Sequence, residues 1–414
     1  GLSRGGGSVI NSKQNQPSSP GAGISSSTFN LAKSIIGMGV LSLPSGLAYA
    51  TDDRSAVIPA SVLCIIYGAM AAHSFSTIGR VCDTYKVDSF AEAYRMTVSN
   101  STAKIIPAFT TITCFLNALA CSSMIGDSFS DIFQKLQAPA VLATRNGALV
   151  FLSAVVLLPL SLLNSLSALA PLSALGLFGT LFTAIMIGVR YFDGSYGYSN
   201  IDSLESTGLG RFLSDIPISN HPSFNLWRRN TGDWGALLSS ASFILLSMFN
   251  TAYVAHYHAP RIYAELETKN MNTFNLITGL SFGLSSIVFV AMMSLGFLTF
   301  GGNSKGFILN NYASTDSFAA ASRLAVGLTL LSGYPILFTA LKDGIIDVFN
   351  AKEKSKNFPK STKLVTALLL SIVTSLAMKF KDVSFLVSFA GALCGSMIMF
   401  VFPSLMSIRM EDKQ

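Results

Sequence analysis

The run Phe29-Asn30-Leu31-Ala32-Lys33-Ser34-Ile35-Ile36-Gly37-Met38-Gly39-Val40-Leu41-Ser42-Leu43-Pro44 is apolar enough to enter a bilayer, yet Gly37-Met38-Gly39 interrupts it. Glycine weakens a helix, and proline removes a backbone donor. Within hydrocarbon, such a break survives only where protein or a polar cavity satisfies the freed backbone groups. Any fold for this chain must therefore accommodate a first membrane helix that is discontinuous near its middle.

The remainder of the chain supports a membrane setting. Only 12% of its 414 residues are charged and 50% are hydrophobic, whereas soluble domains carry about 25% charge. A span of ~30 Å hydrocarbon needs ~20 apolar residues. Ten runs meet or approach that length: 28–50, 56–80, 103–133, 147–164, 166–190, 235–264, 272–300, 316–346, 362–380 and 383–408. Residues 1–26, rich in Ser, Gly, Pro and Asn, are expected to be a disordered tail, with a membrane domain over 27–409. The polar stretch 191–234 reads as the longest loop, on the extracytoplasmic side. A short amphipathic stretch, Asp88 to Met96, reads as an interfacial helix.

Lys and Arg concentrate on the side of the N-terminus, above all in the hairpin 351–363, which predicts a cytoplasmic N-terminus. The net charge of +7 then reflects basic loops and gives no indication of nucleic-acid binding. Cys64, Cys82, Cys114, Cys121 and Cys394 form no CxxC pair or metal-ligand cluster and read as packing residues. No cofactor is expected. HExxH and GxxxxGK[ST] are missing, so an enzyme is a poor reading.

If the first helix is broken, an inverted repeat calls for a matching break five spans later. The sixth span offers the polar step Phe249-Asn250-Thr251 and, further on, Pro260, though no glycine. Free N–H groups from Gly37, Met38, Gly39 and Val40 at a helix N-terminus suit a carboxylate. Carbonyls released near Ser247–Asn250 suit an ammonium. Two such ends facing each other describe a receptor for an α-amino acid. Close helix packing at the glycines is the alternative account.

At this point the chain resembles the amino acid/auxin permease family, in the amino acid–polyamine–organocation superfamily. The resemblance runs from about residue 27 onward and is most specific at two places. Asn30-Leu31, Ile36-Gly37-x-Gly39-Val40-Leu41 and Leu43-Pro44 are similar to the family's first helix. His256-Tyr257-His258-Ala259-Pro260-Arg261-Ile262-Tyr263-Ala264-Glu265-Leu266 is similar to its sixth, most of all in vacuolar transporters. The resemblance implies an all-α membrane protein with a LeuT-type 5+5 inverted repeat, helices 1 and 6 broken and helices 3 and 8 flanking the substrate. It also implies eleven spans, so an eleventh is expected beyond the ten read here. The expected activity is secondary transport of neutral or small amino acids in a vacuolar, lysosomal or plasma membrane. A membrane amino acid sensor built on the same fold is the alternative.

Coupling follows from a departure. The sodium-coupled branch implies asparagine at the place of Lys33, and threonines two and four residues before the helix 8 proline. Here Gly333 and Leu331 precede Pro335 at those spacings, with Ser332 and Thr329 as neighbouring hydroxyls. A fixed ammonium at Lys33 can stand in for a bound cation. Proton coupling or sodium-independent exchange is therefore expected, with Lys33, His256 and Ser332 as coupling candidates.

The substrate-binding candidates are Asn30, Gly37, Met38, Gly39, Val40, Ser247, Phe249, Asn250 and Tyr253. Thr110, Thr113 and Asn117 share one stripe of helix 3 as further polar liners. Lys33 can alternatively snorkel to the interface, and His256 can be a hydrogen-bonded packing residue. His73 reads as a satisfied buried histidine, Asp127 as a solvated helix end, and Glu265 as a partner for a basic loop residue.

Overall fold

A computed structural model describes residues 23–162, 170–196, 240–267, 269–349 and 359–412. Most of the stretch read as a long loop, and most of the Lys-rich hairpin, lie outside the described residues. Helices account for nearly all regular structure. They are α1 (Ile24–Ile35), α2 (Leu43–Ala50), α3 (Val57–Tyr85), α4 (Phe90–Thr97), α5 (Ile105–Lys135) and α6 (Arg145–Ser161). After these come α7 (Ala170–Phe192), α8 (Ser242–Tyr253), α9 (Ala259–Glu265), α10 (Met271–Phe300), α11 (Ser317–Phe349), α12 (Pro359–Lys379) and α13 (Val383–Glu411). Among the described residues, α1 opens at Ile24, inside the stretch read as tail.

By length and composition, five of these helices can each cross a membrane: α3, α5, α10, α11 and α13. The pair α1 and α2, bent by 42° at a short break, makes a sixth span. The helices alternate in direction, so one face carries the start of α1 and the ends of α3 and α11. The opposite face carries the ends of α2, α5 and α10. The principal seams pair α5 with α11, α3 with α10, and α7 with α11. The half-helices α1 and α2 both pack against α10, and α2 also packs against α8.

The outward surface is apolar: Ile65, Ile66, Phe178, Ile185, Leu280 and Ile287 are all exposed. In lipid this is the expected state, because hydrocarbon replaces the buried environment that these side chains need in water. The five cysteines are buried and free. Short amphipathic α4 is N-capped by Ser89, whose Oγ accepts from the Glu92 N–H at 3.3 Å.

Candidate functional site

Two broken helices meet in the middle of the molecule. In the first, α1 ends at Ile35, and Ile36 (φ −76°, ψ 73°) forms a tight turn in which Gly37 N–H donates to the Ile35 carbonyl at 2.8 Å. Gly37 is extended (φ −103°, ψ −156°) and a 3₁₀ turn, Met38–Ser42, leads into α2 with Pro44 in its first turn. In an i→i+3 turn opening at Gly37, the N–H groups of Gly37, Met38 and Gly39 precede the first internal bond. That of Gly37 is already taken. The free donors are therefore those of Met38 and Gly39, a narrower set than the Gly37–Val40 stretch read from sequence.

The second break corrects an expectation. Helix α8 runs unbroken through Phe249-Asn250-Thr251 and ends at Tyr253; the chain leaves helical geometry at Val254 (ψ 101°) and Ala255 (φ −132°). A 3₁₀ turn, His256–His258, then leads into α9 with Pro260 in its first turn. Both breaks share one local grammar: extended residues, a 3₁₀ turn, then a proline opening the next helix. Proline is well placed in a first helical turn, where its missing N–H has no intrahelical role. It thus marks where a half-helix starts, and the discontinuity lies five to eight residues upstream of Pro260 and Pro44. The carbonyls of Thr251, Ala252 and Tyr253 lose their regular i+4 donors. Those near Ser247 do not.

The two breaks touch. A Cβ at Gly39 would sit 3.0 Å from the Ala252 Cα and 3.2 Å from its backbone N. The absence of a side chain at Gly39 lets the donor end of one half-helix approach the acceptor end of the other. Gly37 differs: it is exposed, and a Cβ there would meet only the Ile35 carbonyl, at 4.0 Å. Asn30, Lys33, Ser34, Gly37 and Met38 are exposed or half-buried, while Leu31, Ala32, Ile35 and Ile36 are buried. Within α1, Asn30, Lys33 and Ser34 share one accessible stripe by their i, i+3, i+4 spacing, and Gly37 and Met38, beyond the helix end, continue that surface at the break. Val40 is buried in the turn. Lys33 stands in the last turn of α1, where an ammonium complements the negative end of the helix dipole.

The sixth-span candidates lie elsewhere than expected. The Ser247 hydroxyl donates to the Phe243 carbonyl at 2.6 Å, and the Ser247 carbonyl lies against Gly391 of α13. Asn250 is buried, accepting a hydrogen bond from the Tyr67 hydroxyl and closely approached by Gly395. Phe249 and Tyr253 are fully buried. The Tyr253 hydroxyl lies 2.8 Å from Ser286 Oγ and 3.1 Å from the Cys64 carbonyl, so it braces α8 against α3 and α10. The side chains of Phe249, Asn250 and Tyr253 are thus engaged in packing beside the break.

His256 is fully buried between Phe75 and Phe282, with Nε2 3.1 Å from the Ala71 carbonyl and Nδ1 unpartnered. The packing account fits the first nitrogen; the second is left bare. Ser332 Oγ donates to the Thr329 carbonyl of its own helix at 2.8 Å. Thr110 and Thr113 likewise bond back to the carbonyls of Ile106 and Phe109, while Asn117 is buried. His73 is exposed on α3, not buried. Glu265 pairs with Arg261 one turn away, at 2.7 Å. Asp127 is no solvated helix end: it pairs with Arg145 at 2.6 Å.

Sequence reading missed the polar framework of the opposite face. Arg323 is 1% exposed, and its partner Asp131 lies 2.9 Å away on α5. Arg190 joins Asp316 at 2.7 Å, and the Tyr196 hydroxyl donates to the same carboxylate at 3.0 Å. A buried arginine inside an apolar run was the available signal, since it requires several acceptors.

Comparison with known proteins agrees with this geometry. The chain is 23% identical over 399 residues to "Putative sodium-coupled neutral amino acid transporter 11" of Danio rerio, covering 94% of this chain and 80% of that protein. It is 24% identical over 323 residues to "Vacuolar amino acid transporter 7" of Saccharomyces cerevisiae, covering 78% and 59% respectively. Amino acid transporter AVT6E of Arabidopsis thaliana is 22% identical over 407 residues, covering 95% and 77%. Among solved structures, a sodium-coupled sialic acid symporter in a substrate-bound outward-open state matches with a TM-score of 0.50 and 16% identity. That match covers 92% of this chain and 78% of the symporter, and it supports the LeuT-type architecture. Taken with the two broken helices, the match of residues 20–414 to the family described as transmembrane amino acid transporter protein places the chain in that family: it is an amino acid transporter and not an enzyme.

Proposed function

We propose that the chain carries neutral amino acids by alternating access, with the zwitterion held between its two helix breaks. The observation that carries this reading is the Gly39–Ala252 contact, which brings unpaired N–H groups beside unpaired carbonyls. The Met38 and Gly39 N–H groups would bind the carboxylate, favoured by the positive pole of the turn leading into α2. The carbonyls of Thr251, Ala252 and Tyr253, with those of Lys33 and Ser34 at the end of α1, would bind the ammonium. The two ends recognise the carboxylate and ammonium that every α-amino acid shares. The names of the Danio rerio and Saccharomyces cerevisiae relatives agree with an amino acid cargo.

Coupling in this proposal is sodium-independent and proton-linked. Lys33 lies on the accessible stripe one turn before the break, where its fixed charge takes over the electrostatic role of a cation. His256 Nδ1, a buried ring nitrogen without a partner, is the candidate proton site of this proposal. The Lys/Arg distribution supports a cytoplasmic face for the start of α1, in a vacuolar or plasma membrane.

The test is reconstituted uptake of a labelled amino acid panel, with and without sodium and a pH gradient. Neutral amino acids should accumulate without sodium and faster with the gradient. Uptake that vanishes when sodium is removed at constant pH would sink the coupling proposal. Saturable binding with no flux would instead favour a sensor.

A further inference from the structure

The loop between α10 and α11, residues 301–316, folds into the membrane domain instead of standing clear of it. Phe307, Ile308 and Leu309 are 1%, 0% and 0% exposed. Ile308 Cδ1 lies 3.4 Å from where a Gly296 side chain would start, beside Pro44 at the head of α2. The turn Ile308–Asn311 rests on the 3₁₀ turn Met38–Ser42 that follows the first helix break. An apolar plug thus covers the break from the face opposite the accessible stripe of α1.

Polar groups tie this plug down. Arg323 donates through Nη2 to the carbonyls of Leu309 (2.8 Å) and Tyr312 (2.6 Å), and through Nη1 to that of Ala313 (3.4 Å). Its Nε lies 2.9 Å from Asp131 of α5. Asn310 Nδ2 donates to Asp127 at 2.9 Å, and Asp127 in turn pairs with Arg145 of α6. Lys305 Nζ donates to the Asn310 carbonyl at 3.1 Å, and Gly302 N–H to Asp52 at 2.7 Å. Three loop carbonyls on one fully buried guanidinium, itself neutralised by a carboxylate on another helix, make Arg323 the hub. On the other face, the pairs Asp83–Lys86, Glu92–Arg95, Arg261–Glu265 and Arg409–Asp412 link residues only three or four apart.

We infer that Arg323 is the positioning residue of a gate. It holds the Phe307–Ile308–Leu309 plug over the helix breaks and keeps the site closed on that face. Opening that face requires the plug to leave Arg323 and Asp131. The idea rests on the transport reading for its purpose, but its geometry can be tested without measuring flux.

Ser42 is 0% exposed beneath the plug, and Ser34 lies on the accessible stripe. The native cysteines are all buried, so Ser42→Cys and Ser34→Cys can each serve as the reactive thiol in the full chain in proteoliposomes. Labelling by a membrane-impermeant maleimide is timed from each face separately. Arg323→Ala should raise Ser42→Cys labelling from the plug face by about tenfold or more, since even one of its charge-assisted hydrogen bonds produces a population change of that order. It should also slow Ser34→Cys labelling, and Arg323→Lys should restore part of the closure. An unchanged rate at Ser42→Cys overturns the proposal. So does faster labelling at both positions, which is what mere loosening of the fold would give. Should Arg323→Ala fail to fold, Asn310→Ala provides the same measurement with a smaller expected rise, and no rise there overturns it equally. A responsive label together with no uptake of any amino acid leaves the gate standing and removes the transport reading.

Discussion

Gly37 and Gly39 stand two residues apart, and their surroundings call for opposite outcomes on substitution. A methyl at Gly39 has to displace the Ala252 backbone, 3.0 Å away. Gly39→Ala should therefore destabilise the protein by about 1–3 kcal/mol, the usual scale of overpacking, seen as a lower midpoint of thermal unfolding in detergent. Gly37 has open space and a φ of −103° that any residue adopts. Gly37→Val should fold with an unchanged midpoint and lose uptake, because its side chain would occupy the space before the Met38 and Gly39 donors. Normal uptake by that variant would contradict the carboxylate cradle. At this scale the first break was legible from residue types alone, since glycine and proline act on their own backbone. The roles of Asn250 and Tyr253 were not. Their side chains are spoken for by Tyr67, Ser286 and Cys64, partners that no local pattern announces.

Helix ends carry the next set of consequences. Asp316 caps α11: one of its carboxylate oxygens accepts from the N–H groups of Phe318 (2.9 Å) and Ala319 (3.3 Å) and also from Arg190. Burial pushes the carboxyl pKa upward, but Arg190, Tyr196 and these N–H groups outweigh it and hold the value below the usual carboxylate range. A carboxylate with a depressed folded pKa stabilises fully above its unfolded pKa of ~3.9, and that contribution fades as pH falls through the folded value. The cap should therefore stay intact at about pH 5, as in an acidic compartment, and fail only at more strongly acid pH. Asp316→Ala should lower stability by about 0.5–2 kcal/mol, the usual worth of a capping side chain, in thermal unfolding at neutral pH. Loss of that difference already at pH 5 would argue against the capping geometry. The element scale also explains the misplaced break in the sixth span. A polar triplet, Phe249-Asn250-Thr251, drew attention, but polar side chains can be satisfied across a helix seam. Proline cannot supply an N–H, and Pro260 and Pro44 mark the start of the second half-helix in each case.

At the scale of the whole molecule, among the described residues, several ion pairs between separate elements gather on one face. Asp127–Arg145, Asp131–Arg323 and Arg190–Asp316 join separate elements on the plug face. On the other side of the break, Asn30, Lys33, Ser34, Gly37 and Met38 are exposed or half-buried. Under the proposed function this is one state of an alternating-access cycle, and transport requires the plug-face contacts to open in turn. If Lys33 substitutes for a coupling cation, Lys33→Asn should lower sodium-independent uptake of neutral amino acids and alter its response to a pH gradient. An identical pH response in that variant would remove Lys33 from coupling.

What the sequence by itself determined was the membrane setting, the helical class and the first discontinuity. Those follow from hydrocarbon's intolerance of charge and of unpaired amides, which acts residue by residue along the chain. Only the tertiary structure decided where the sixth span parts, which hydroxyls face one another, and that Arg323 gathers carbonyls from the 301–316 loop and a carboxylate from α5. Such choices depend on groups far apart in the chain, and packing alone brings them within reach of a hydrogen bond.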